Sequence, residues 1–240
     1  LESKRKEGKL NRIILNKENQ SGSIEIKNKT DKSADLYIYG YIADEKWYDS
    51  DIIPSDMKDL LDEVKGTNTL NIYINSGGGS VFAGMAIYHM LSRIKARKTV
   101  FVDGLAGSIA SVIAFCGDEL IVPRNSYLMI HKAWTFAMGN ADELLKTAES
   151  LETIDKGILN VYEKNLRSGI TTSAIKELID AETWLTGEEA NEYFDIHLSD
   201  PLEAVACIGK LDYINTPKVF KEKQEEPEKL IELLKLECEL

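Results

Sequence analysis

Leu70-Asn71-Ile72-Tyr73-Ile74-Asn75-Ser76-Gly77-Gly78-Gly79-Ser80-Val81-Phe82 is the stretch whose reading decides the fold. Leu70 to Ile74 has strand composition, Asn75 to Ser80 reads as a turn, and Phe82 to Ile94 as a helix. The same sequence of events recurs a little later. Thr99 to Val102 is a strand, it runs into Asp103-Gly104-Leu105-Ala106-Gly107-Ser108, and an apolar helix of small residues follows to about Cys116. Strand, glycine turn and helix, twice over, are the signature of an α/β fold.

Working outward, Leu36 to Ile42 reads as a strand. Pro54-Ser55 opens a helix with Met57, Leu60, Leu61 and Val64 on one face, and Gly66 closes it. Glu119 to Val122 and Tyr127 to Ile130 are short strands joined by the turn Pro123-Arg124-Asn125-Ser126. A long helix is expected over about 141–166, with Leu144, Leu145, Ala148, Leu151, Ile154 and Ile158 at helical spacing. Thr172 is expected to cap a shorter helix carrying Ile175, Leu178 and Ile179. Thr186 with Glu189 three residues on forms a capping box for the next helix. Residues 1–34 are polar and read as an N-terminal arm, either loosely ordered or an edge hairpin around Ser23 to Lys27. Residues 35–200 form the main domain. Residues 201–240 are a C-terminal extension, in which Pro227 starts a last amphipathic segment.

Composition removes several function classes. The chain has 240 residues, enough for one core with decorated ends. It carries 29 Lys and Arg against 40 Asp and Glu, a formal net charge of -11, so the basic footprint of a nucleic-acid or anionic-membrane partner is missing. No apolar run approaches the roughly 20 residues that cross a bilayer, and the charged stretch Leu1 to Leu10 has no secretory core. Cys116, Cys207 and Cys238 are widely spaced and odd in number, which argues against a disulfide framework and against a zinc site. The expectation is a cytoplasmic, reducing compartment and no metal.

Two glycine-rich turns carry the chemical question. The first, Gly77-Gly78-Gly79, is too costly in backbone entropy to be idle unless it needs positive φ or close approach to a ligand. It is not a phosphate loop, because Ser80-Val81 stands where Gly-Lys-Ser/Thr would be. It is not a dinucleotide fingerprint either, because Phe82 occupies the last glycine position. A tight strand-to-helix connection is the plainer reading. The second turn delivers Ser108 to the start of a buried helix, where unpaired N–H groups and partial positive charge favour a developing oxyanion. Serine is also a common helix N-cap, and the residues alone favour that plainer role. The local string lacks the Gly-x-Ser-x-Gly elbow. Ser111 reads as a buried hydroxyl bonding to its own helix. Of the three histidines, His89 lies within a helix and His197 near an exposed segment, whereas His131 ends a strand beside a loop, a rigid seat for a general base.

The strings around these residues have a family likeness. Ile74 to Gly84, Gly104 to Ser108, Met129-Ile130-His131 and Glu182 to Ala190 resemble, in order and spacing, the motifs of ClpP serine proteases from about Asp35 to Asp200. The Glu182-Thr183-Trp184 variant and the decorated ends look most like the phage or prophage, head-maturation type. The resemblance implies a ClpP/crotonase-like α/β fold of repeated strand-strand-helix units with a long protruding handle helix. It implies Ser108 as nucleophile, His131 as general base, an oxyanion hole from the Gly79 and Ile109 N–H groups, and a substrate strand lying along Gly77 and Gly78. The third member aligns with Glu182, with Asp180 as fallback. Gly77 and Ala133 replace prolines common in the family. No cofactor is implied. The implied partners are further copies of the chain in a heptameric ring or double ring, a polypeptide substrate, and an AAA+ unfoldase or phage capsid and scaffold proteins. A crotonase-like acyl-CoA enzyme and a catalytically silent ring subunit are the rival readings.

Overall fold

A computed structural model describes residues 22–201. The expected amphipathic segment after Pro227, Cys207, Cys238 and residues 1–21 of the expected arm lie outside the described residues.

Eight strands and six helices are described, in the order β1 (Ser23–Lys27), β2 (Ser33–Ile42), α1 (Pro54–Glu63), β3 (Thr69–Gly79), α2 (Val81–Ser92), β4 (Arg97–Gly107), α3 (Ile109–Ala114), β5 (Glu119–Pro123), β6 (Tyr127–Ile130), α4 (Ala141–Glu163), α5 (Thr172–Asp180), β7 (Thr183–Thr186), α6 (Gly187–Tyr193) and β8 (His197–Ser199). They make one mixed sheet with the order β1-β2-β3-β4-β5-β8, to which β6 adds on β4 and β7 on β6. The central strands are parallel, and their buried alternate residues Leu36, Ile38, Ile72, Ile74, Val100 and Val102 are fully enclosed. Helices cover that face, as parallel sheets require. The opposite face carries a stacked row, Tyr37, Tyr73 and Phe101, at centroid spacings of 4.7 and 4.9 Å. The edge strand β1, antiparallel to β2, occupies part of the stretch expected as an arm, and its Ile24 and Ile26 join the same core.

Several expectations need correction. Asn75 to Gly79 is not a free turn but the end of β3, paired through Gly78 and Gly79 with Tyr41 and Ile42. Likewise Asp103 to Gly107 continues β4, its last three residues pairing with β6. Glycine composition signalled turns, yet non-local pairing held both segments extended. The long helix ends at Glu163 rather than about 166. Its apolar spacing does not mark one buried stripe: Leu144 and Leu145 are exposed, and burial begins at Ile158, Val161 and Tyr162. The cap of α5 is Thr171, whose side chain accepts from the Ala174 N–H, not Thr172. The Thr186–Glu189 capping box is present.

Among the described residues, no helix is long and apolar enough to cross a membrane, and no group of His, Cys, Asp or Glu could hold a metal ion.

Candidate active site

Strand register writes the site. Ser76 pairs with Ala106 in the parallel β3–β4 ladder, so two steps on Gly78 comes level with Ser108. Gly107 pairs with Met129 in the parallel β4–β6 ladder, and the Ser108 N–H donates to the Met129 carbonyl at 2.8 Å. Ile130 pairs with Thr183 in the antiparallel β6–β7 ladder, so one further step sets His131 opposite Glu182. Four neighbouring strand ends thus present Gly78, Ser108, His131 and Glu182 in a row. The row lies beyond the carboxyl ends of parallel strands, where open α/β sheets place their ligands.

Ser108 does not cap its helix. Its side chain makes no bond to the first-turn N–H groups of α3, and its backbone takes φ 52°, ψ -127°. A non-glycine residue there is strained by about 1–3 kcal/mol, strain that other contacts must hold. The strain turns Oγ away from the helix and toward His131, whose Nε2 lies 2.7 Å from it. Although the Gly-x-Ser-x-Gly signature is absent, the geometry is the sharp strand-to-helix turn that exposes a hydroxyl. The sequence could not show this, because backbone strain at a serine has no composition signal.

The glycines explain themselves at one position each. A Cβ on Gly78, at φ +97°, would stand 2.7 Å from the Ser108 Cβ and 3.2 Å from the Ile109 nitrogen. A Cβ on Gly79, at φ +144°, would stand 2.0 Å from the Ile42 carbonyl oxygen. Gly78 therefore leaves open the space before the hydroxyl and the Ile109 N–H, while Gly79 lets β3 lie against β2. Ser76, fully buried, donates its hydroxyl to the Gly40 carbonyl at 2.6 Å and accepts from the Gly78 N–H at 3.1 Å, which pins the glycine strand. The buried Asn75 side chain accepts from the Leu105 N–H at 3.1 Å, where β4 bulges between Val102 and Ala106.

Burial holds the His131 imidazole below its ordinary pKa, while the negative charge of Glu182, then of Asp155, pulls it back upward. The ring is therefore neutral at pH 7, the state in which Nε2 accepts the hydroxyl proton. Asp180 is engaged elsewhere, 2.7 Å from Lys176 and 3.0 Å from Lys132, and these cations hold its carboxyl below the usual range. Asp155, on α4, went unnoticed in the sequence. Its carboxylate accepts from the Ala133 N–H at 2.8 Å and so anchors the chain just after His131. Nothing in its spacing marks it out, since the contact spans 22 residues. His89 and His197 are exposed and away from the site, His197 lying 3.3 Å from Glu119.

Chemically, the arrangement can move a proton from a strained serine hydroxyl to a neutral imidazole with an acid behind it, beside a backbone N–H in open space. A sequence model of the family described as Clp protease matches residues 18–194. The chain is 35% identical over 126 residues to an ATP-dependent Clp protease proteolytic subunit of Chlorella vulgaris, covering 52% of this chain and 62% of that protein. It is 32% identical over 135 residues to the protein of the same name from Bacteroides fragilis strain ATCC 25285, covering 55% and 64%. The Oltmannsiellopsis viridis protein of that name is 34% identical over 126 residues, covering 52% and 64%. The matched regions span less than two thirds of each relative's length.

Proposed function

The chain belongs to the Clp protease family, and from that premise we propose that it is a serine endopeptidase working through Ser108, His131 and Glu182. Ser108 Oγ attacks the peptide carbonyl carbon as His131 Nε2 takes its proton. The tetrahedral oxyanion is met by the N–H groups of Ile109 and Gly79. The imidazolium, steadied by Glu182, passes the proton to the leaving amine, and water then hydrolyses the acyl-enzyme by the same steps in reverse order of partners. The substrate strand lies along Gly77 and Gly78. No cofactor takes part.

The observation that carries this reading is the 2.7 Å approach of His131 Nε2 to Ser108 Oγ. An acyl-CoA enzyme of the crotonase type has no need of that contact. Beyond the reaction, we assign the chain to the phage or prophage type on the Glu182-Thr183-Trp184 variant. Its substrates are then capsid or scaffold proteins in a cytoplasm. The same reading includes assembly into a heptameric ring or double ring, with α4 as the handle and an AAA+ unfoldase as an optional partner, which family membership supports. A fluorophosphonate probe tests the chemistry. Covalent labelling of the wild-type chain, lost in Ser108→Ala, together with cleavage of a fluorogenic peptide, is expected. A well-folded chain left unlabelled would overturn it.

A further inference from the structure

Behind Ser108 lies a second hydroxyl that the reaction does not touch. Ser111 is 0% exposed, and its Oγ donates to the Ser108 carbonyl at 2.5 Å. That hydrogen is then spent, so the 2.7 Å contact between Ser111 Oγ and the Tyr162 hydroxyl has Tyr162 as donor. Tyr162, near the end of α4, is 1% exposed, and burial pushes its phenol further up, so the donor stays protonated. The Ser108 carbonyl also accepts from the Ser111 N–H at 3.0 Å. Two bonds therefore converge on one carbonyl at the strained residue.

The consequence follows from peptide planarity. In a trans peptide the carbonyl and the next N–H point in opposite directions, and rotation of one turns the other. Holding the Ser108 carbonyl inward holds the Ile109 N–H outward, toward the space that Gly78 leaves empty. A carbonyl that loses the Ser111 hydroxyl and keeps only the backbone N–H of residue 111 is held less firmly, the Ser108–Ile109 plane can tilt, and the donor drifts from the oxyanion position.

We propose that Ser111 and Tyr162 are positioning residues that aim the Ile109 N–H at the oxyanion, linking the base of α4 to the nucleophile turn. The proposal rests on the reading of Ser108 as nucleophile. It accounts for a buried serine in α3, whose other residues are all apolar, paired with a buried tyrosine of α4, where alanine and phenylalanine would avoid desolvating two hydroxyls.

The test compares Ser111→Ala, Tyr162→Phe and the double variant with the wild-type chain, in peptide hydrolysis and thermal melting. Removing one hydroxyl strands its buried partner, so Ser111→Ala melts lower. The double variant strands neither and regains much of that loss. A purely structural pair would then recover activity together with stability. Positioning predicts otherwise: kcat falls about tenfold in Ser111→Ala and stays there in the double variant, a fraction of the loss for deleting an oxyanion donor outright. KM stays within about twofold and the acidic limb of the pH profile does not move, because His131 is untouched. Tyr162→Phe keeps its ring in place and loses about threefold in kcat, which reads the proposal even where Ser111→Ala is unstable. A double variant or Tyr162→Phe at wild-type kcat overturns the proposal, as does a kcat that tracks melting temperature across the three. A wild-type chain that fails to label at Ser108 overturns the peptidase reading and this proposal with it, whereas an active wild type with unaffected variants overturns this proposal alone.

Discussion

Ser108 and His131 meet at 2.7 Å, yet the chain holds them by different means. The proposed nucleophile is seated in backbone. The Met129 carbonyl of β6 fixes its N–H, Ser111 fixes its carbonyl, and every residue of α3 behind it is buried. The proposed base is seated by charge and by a short strand paired with β4 on one side and β7 on the other. The four-residue strand β6 carries it, Glu182 stands opposite at φ 49°, and the stretch that follows is exposed, Phe136 at 93% and Met138 at 100%. Geometry on the nucleophile side is therefore tied to folding, whereas function on the base side is tied to protonation. Substitutions that disturb the backbone on the first side, as at Gly78, should change kcat and stability together. Those on the second should change kcat and its pH dependence with little effect on melting.

The largest effects test whether both halves are needed. Ser108→Ala or His131→Ala alone should lower kcat by about 10⁴–10⁶-fold, and combining them should add little, because the two act as one unit. Additive losses would mean that the halves work independently. Next in size, Glu182→Gln should cost about 10²–10⁴-fold by leaving the ring without its orienting charge. Asp180→Asn, which removes a carboxylate held by Lys132 and Lys176 on the surface, should cost less than about twofold. The reverse order in steady-state assays would move the third role to Asp180.

On the nucleophile side, Gly78→Ala should cost both activity and stability. The added Cβ would stand 2.6 Å from the Gly107 carbonyl, and the φ of +97° adds strain of about 1–2 kcal/mol for a side-chain residue. Melting and kcat should fall together, and a Gly78→Ala chain with wild-type melting and low kcat would separate the glycine's role in the site from its role in folding. The smallest effect belongs far from either half. Gly157, inside α4, has nothing within 4 Å of an added Cβ, so Gly157→Ala should gain about 0.5–1 kcal/mol in denaturant unfolding with kcat unchanged.

What was legible in the sequence divides along the same line. The repeated strand-to-helix pattern, strand β2, the buried face of α1 and the Thr186–Glu189 capping box are local, so composition, periodicity and spacing found them, whereas the Asn140–Glu143 box that opens α4 went unread. The extensions of β3 through Gly79 and β4 through Gly107 were hidden, because they depend on partners elsewhere in the chain and glycine reads as a turn. The proposed site residues were singled out by resemblance, since one serine and one histidine have no periodic signal. The strain at Ser108 and the contacts of Asp155 and Tyr162 are set by packing between distant segments, and no spacing announces them.

The proposed activation of the Ser108 hydroxyl by His131 is read from the rate of fluorophosphonate labelling at Ser108 as a function of pH. Burial lowers the imidazole, so the ring protonates only below its ordinary value of about 6.5. Labelling should fall as the pH drops, with the midpoint of the fall below about 6.5. In Glu182→Gln, which loses the charge that raises the ring, the fall should move to still lower pH. A labelling rate that does not change with pH, or one that His131→Ala leaves at the wild-type value, would contradict the account.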